Sequence, residues 1–135
     1  VAESARGLID GDLVRLRELA ERAHWPAIDV LASISRSMND VTGADHQRAA
    51  EELRRVLSAR LDADDLVSVG AYQPGANPLV DAALRHETDI NSFLRQQPTE
   101  INSLGETLEL MARLTATLHC EVSGEIDAER PGLAA

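Results

Sequence analysis

Only three aromatic side chains, Trp25, Tyr72 and Phe93, occur in 135 residues. The interior therefore has to be built from Leu, Val, Ile and Ala, a composition that favours packed helices over a sheet. Hydrophobic residues make up 44% of the chain, enough for one modest core at this length. The expected fold is mainly α.

Local signals divide that helical content. Residues 5–10 read as a short extended piece. Asp12 can cap a helix over 13–23, on which Leu13, Leu16, Leu19, Ala20 and Ala23 share a face. Pro26 fixes its own φ and biases Trp25 away from helix, so that helix must stop there. Residues 25–44 read as a loop. A long helix then starts near Ala44, with Ala49, Leu53, Val56, Leu57, Arg60 and Leu61 as its apolar stripe. Asp62 can cap a shorter helix that Gly70 ends. Pro74-Gly75 predicts a type II turn, and Asn77-Pro78 predicts an N-cap with proline at the first helical position. Two short helices carry Leu79, Val80, Ala83 and Leu84, then Ile90, Phe93 and Leu94. Pro98 interrupts, and Ser103-Leu104-Gly105-Glu106 is a capping box for a last helix carrying Leu108, Met111, Leu114 and Leu118. The polar stretch 121–135 reads as a flexible tail.

Composition also narrows function. A formal net charge of −10 argues against nucleic acid or an anionic membrane surface as a direct partner. Cys120 is the only cysteine, so an intrachain disulfide or a cysteine-based zinc site is excluded. His24, His46, His86 and His119 lack ligand spacing. Asp62, Asp64 and Asp65 suit a helix N-terminus better than a calcium loop. Ser33, Ser35 and Ser37 have no base partner in a nucleophile-elbow context. Glu51, Glu52, Arg54 and Arg55 read either as a solvated helix face or as a surface toward a partner. No apolar run approaches membrane-spanning length. The sequence has no G-x-x-x-x-G-K-[ST] loop, so this chain alone is expected neither to hydrolyse ATP nor to need a cofactor.

Residues 24–41, H-W-P-A-I-D-V-L-A-S-I-S-R-S-M-N-D-V, hold the candidate chemistry. An aromatic beside a proline, with an arginine some way on in a serine-rich segment, suits a nucleotide site shared between subunits. The ring can stack on a base and the guanidinium can reach a phosphate. The alternative is a buried Trp25 and a surface Arg36 paired with Asp29 or Asp40.

The segments R-G-L-I-D-G and R-E-L-A-E-R-A-H-W-P-A-I-D-V-L-A-S-I-S-R-S-M-N-D resemble the end of the catalytic domain of flagellum-specific and type III secretion export ATPases, relatives of rotary ATP synthase catalytic subunits. The likeness continues at Leu66–Gly75 (L-V-S-V-G-A-Y-Q-P-G) and at Phe93-Leu94-Arg95-Gln96, and so reaches to about Leu118. It implies that 1–43 is the last strand and helix edge of a RecA-like nucleotide-binding domain with an arginine-finger loop. Residues 44–120 would be the helical C-terminal domain. It further implies a homohexameric ATPase using ATP and Mg2+, peripheral to the inner membrane on the cytoplasmic side. Its partners would be chaperone–cargo complexes and a central stalk protein. By the same resemblance Arg36 is the finger acting in trans, Trp25 stacks on adenine in cis, and Leu104 stands where a second adenine contact is usually aromatic. Asp12, where the family usually has histidine, and Arg15-Leu16-Arg17, in place of Leu-Ser-Arg, depart from the pattern. The start at Val1 implies a C-terminal piece of a longer protein. The alternatives are a stand-alone helical interaction module and a rotary proton-translocating ATP synthase subunit.

Overall fold

The computed structural model describes residues 11–128, with side chains through Gly124. A hairpin of β1 (Gly11–Arg15) and β2 (Ile28–Ser35) encloses a short helix, α1 (Arg17–Glu21). Six helices follow: α2 (Met38–Val41), α3 (Ala44–Asp62), α4 (Asp64–Ser68), α5 (Pro78–Arg85), α6 (Glu87–Leu94) and α7 (Leu104–Ala128).

The core lies among α3, α5, α6 and α7. Leu53, Val56, Ala82, Ala83, Ile90, Leu118 and Val122 form one buried cluster, with Val56, Ala82 and Leu118 fully buried. Leu57, Leu79, Phe93, Leu94 and Leu114 close around it. The core is aliphatic, and Phe93 is the one aromatic residue packed against it. The expectation of a mainly α chain holds.

Helix ends follow their sequence signals. Asn77 Oδ1 accepts the Leu79 N–H at 3.0 Å, with Pro78 opening α5. Ser103 and Glu106 exchange bonds as a capping box: Ser103 N donates to the Glu106 carboxylate at 2.8 Å, and Glu106 N donates to Ser103 Oγ at 3.3 Å. Gly70 adopts φ +70° and ends α4. Gly70 N donates to Val67 O and Ala71 N to Leu66 O, the paired bonds of a Schellman stop. Gly75 has φ +91° in a turn closed by Ala76 N donating to Gln73 O.

That turn is anchored by a residue the pattern gave no reason to single out. Asp81, in the first turn of α5, is buried. Its carboxylate accepts the Gly75 N–H at 2.7 Å and the Tyr72 hydroxyl at 3.1 Å.

Four expectations need correction. The helix expected over 13–23 is a strand followed by one short helix. Its apolar spacing is helical, yet Leu13 is 63% exposed, and Gly11 sits so close to Ile34 O (3.1 Å from an ideal Cβ) that it allows strand pairing. Asp12 is therefore within β1, and the N-cap position of the short helix is Leu16. Residues 25–44 are mostly regular: β2 takes eight of them, where β-branched Ile28, Val30 and Ile34 suit a strand paired with β1. Asp62 ends α3 rather than capping α4, whose N-cap position is Ala63. The expected flexible tail is helical through Ala128, since Val122 still packs into the core. The extended piece expected at 5–10 lies outside the described residues, as does 129–135.

Candidate functional site

The hairpin is irregular where it matters. Gly11 pairs with Ser35 and Asp12 with Ile34, but Val14 pairs with Asp29 and Arg15 with Ile28. Residues 30–33 of β2 therefore stand opposite Leu13 alone, as an enlarged bulge. Backbone groups in a bulge lose their ladder partners and must be satisfied in some other way.

Three side chains satisfy them. The Asp29 carboxylate accepts the N–H groups of Leu31 and Ala32, each at 2.9 Å. The Ser33 hydroxyl donates to Asp29 O at 2.5 Å and accepts the Val14 N–H at 3.0 Å. From α3, the Arg54 guanidinium donates to Leu31 O at 3.1 Å and reaches Ser33 O at 3.4 Å with both terminal nitrogens. Sequence reasoning grouped Arg54 with Glu51, Glu52 and Arg55 as a helix face. Instead it is half-buried against β2. Its place beside the Leu53–Leu57 stripe was the one available signal.

Arg36 follows the last residue of β2. It is exposed and makes no hydrogen bond or ion pair among the described residues. The pairing with Asp29 weighed above is not formed, since Asp29 is engaged by the bulge backbone. A braced strand is thus followed by a guanidinium with no partner among the described residues.

Trp25 is 55% exposed, which removes the alternative of a core tryptophan. It is joined to Pro26 by a cis peptide bond, and its carbonyl accepts the Gln96 N–H at 2.8 Å. That hydrogen bond ties the Trp-Pro segment to the Phe93-Leu94-Arg95-Gln96 block far along the chain. Just before it, α1 ends in another Schellman stop. His24 N donates to Leu19 O and Ala23 N to Ala20 O, with Ala23 held at φ +54°. His24 is buried with no hydrogen-bond partner at Nδ1, and burial, then the Arg95 charge, lowers its pKa. It is therefore neutral at neutral pH.

A cleft of about 490 Å³ opens between Pro26, the end of α6 and the first half of α7, lined by Phe93, Gln96, Leu110 and Arg113 among others. Its lining is mixed polar and apolar. Leu104 begins α7 and is 72% exposed. Neither Leu104 nor the Trp25 ring lines the cleft itself, so the structure joins Trp25 to the Gln96 block through the backbone and leaves Leu104 apart. No group of three His, Cys, Asp or Glu able to hold a metal occurs among the described residues, and no described helix is long and apolar enough to cross a membrane.

The arrangement is a helical unit headed by a β-hairpin, with an exposed arginine directly after the hairpin's second strand. The family model for the T3SS EscN ATPase C-terminal domain matches residues 42–113, and the chain belongs to that family. It is 50% identical over 118 residues to a type 3 secretion system ATPase of Pseudomonas savastanoi pv. phaseolicola, covering 87% of this chain and 26% of that protein. It is 43% identical over 116 residues to a flagellum-specific ATP synthase of Pseudomonas aeruginosa, again over 86% of this chain and 26% of the relative. The assembled ATPase EscN of enteropathogenic E. coli, solved in complex with its central stalk EscO, superposes with a TM-score of 0.79 at 33% identity, over 84% of this chain and 28% of that one. The chain thus spans about a quarter of the relatives it matches.

Proposed function

We propose that the chain is the C-terminal part of an ATPase that energises flagellar or type III protein export. In this reading a homohexamer hydrolyses ATP to release and unfold chaperone-bound cargo. Residues 1–43 complete a RecA-like nucleotide-binding domain, and the helical unit from residue 44 faces cargo complexes and a central stalk. The protein works in the cytoplasm, peripheral to the inner membrane at the export apparatus. Arg36 carries the reading: it is exposed, unpaired and held at the end of a braced strand. Such an arginine, offered to a neighbouring subunit's γ-phosphate, neutralises charge in the transition state. Trp25 presents its indole face to adenine in its own subunit, and Leu104 supplies a weaker apolar flank. Mg2+ and the phosphates are held by the phosphate-loop part of the parent. The module and ATP synthase alternatives are not favoured, because the relatives are export ATPases on both the secretion and flagellar branches.

The test uses the full-length parent. Arg36→Ala should leave assembly and ATP binding nearly intact and lower kcat by roughly 10³-fold or more. Mixing those subunits with subunits lacking the phosphate-loop lysine should restore partial activity, because some interfaces then pair an intact loop with an intact finger. A wild-type rate for Arg36→Ala in an assembled ring would discard the assignment.

A further inference from the structure

We infer that Arg54 is a positioning residue for Arg36, a role that rests on the finger reading above. Leu31 and Ser33 lie in the bulge of β2, outside its register with β1, and Arg54 alone among the described side chains donates to both of their carbonyls. Ser33 is three residues before Arg36, which directly follows the strand, so fixing its carbonyl fixes the path that leads into the finger. The donor is itself anchored. Arg54 follows Leu53 and precedes Val56 on α3, and both of those residues are buried in the helical core. The guanidinium is therefore a strut between the helical core and the finger-bearing strand. Its fork supplies two divergent donors for two acceptors, which a lysine point charge cannot match. Asp29 and Ser33 brace the bulge from within β2, but among the described side chains only Arg54 ties it to the helices by hydrogen bonds.

A finger displaced by about 1 Å can lose up to roughly 10²-fold in rate, and ATP binding, which relies on other groups, should be spared. In the full-length hexamer, Arg54→Met should therefore lower kcat by about 10- to 100-fold with the KM for ATP within about twofold of wild type. Arg54→Lys should fall between the two. Placed on Arg36→Ala, Arg54→Met should cause no further loss, because the two act through one contact. Subunits carrying Arg54→Met should regain activity when mixed with subunits lacking the phosphate-loop lysine, as finger-deficient subunits do and subunits with a damaged site of their own do not. A wild-type kcat for Arg54→Met, a loss without rescue in mixed rings, or a full further loss on Arg36→Ala overturns the role. If Arg54→Met does not assemble, Arg54→Lys decides: an unchanged KM with lowered kcat supports the strut, and a wild-type rate refutes it. The two readings separate cleanly. If Arg36→Ala keeps the wild-type rate, the finger fails. If Arg36→Ala loses activity and Arg54→Met does not, only the strut fails.

Discussion

Replacing Asp81 with alanine should destabilise the helical unit by about 2–4 kcal/mol. The carboxylate is buried and accepts from Gly75 N and Tyr72 Oη. A hydrogen bond to a charged group contributes about 1.5–3 kcal/mol, and a carboxylate in the first turn of a helix adds about 0.3–1 kcal/mol. Full loss of both bonds would exceed the predicted range, but neither donor is stranded in the variant. Gly75 is exposed, so water can take its N–H, and Tyr72 Oη still has Asn77 O at 3.2 Å. Removing the carboxylate also removes the cost of burying it. Tyr72→Phe should cost about 1 kcal/mol, and the two changes together should cost less than their sum by about 1 kcal/mol, the mark of a shared bond. Urea unfolding of the four variants measures this cycle. The Tyr72 pKa is raised, by burial first and then by the hydrogen bond to Asp81. Its contribution is then complete below the ordinary tyrosine value near 10 and fades as pH rises through the raised one. Tyr72→Phe should remove that alkaline decline. An Asp81→Ala cost below about 0.5 kcal/mol, or strict additivity, would refute the clamp.

Two further changes probe the scaffold. Ala23→Gly should stabilise the chain by about 0.5–1 kcal/mol, because Ala23 holds a left-handed φ of +54° that glycine adopts without a Cβ clash; a lower urea midpoint would contradict this. Leu118→Ala should cost about 3–5 kcal/mol, since Leu118 is fully buried where α7 meets α3 and α5. A loss below about 1 kcal/mol would place the core elsewhere.

The helical unit was legible because its signals are local. Asn77-Pro78, Ser103 with Glu106, and Gly70 each act on backbone groups a few residues away, and α3 starts at Ala44 as read. The hairpin was not legible, because its cause is distant. Leu13, Leu16 and Leu19 are spaced for a helix, and only pairing with residues 28–35 makes the first of them part of a strand. Leu61 illustrates the same limit. It continues the α3 stripe in spacing but is 62% exposed, since the stripe outlasts the surface it packs on. At the site, Arg36 and Trp25 were visible as residue types in a motif. Arg54 and Asp81 were not, because a charged residue on an amphipathic helix looks solvated until its partner's backbone is located.

The bulge in β2 also fixes a count. Between the pairs Asp12–Ile34 and Val14–Asp29, β1 advances two residues and β2 advances five. The excess of three is odd, and side chains along a strand alternate faces with a period of two. The bulge therefore inverts the alternation that β2 carries in from Ile28, so that positions beyond it point opposite to where an even excess would send them. Arg36 directly follows the last residue of that strand. Among homologues, residues 30–33 should accept substitution far more readily than the insertion or deletion of a single residue. A change of one would move Leu31 O and Ser33 O relative to α3, so that Arg54 could no longer reach both, and the brace on the strand that leads to Arg36 would be lost.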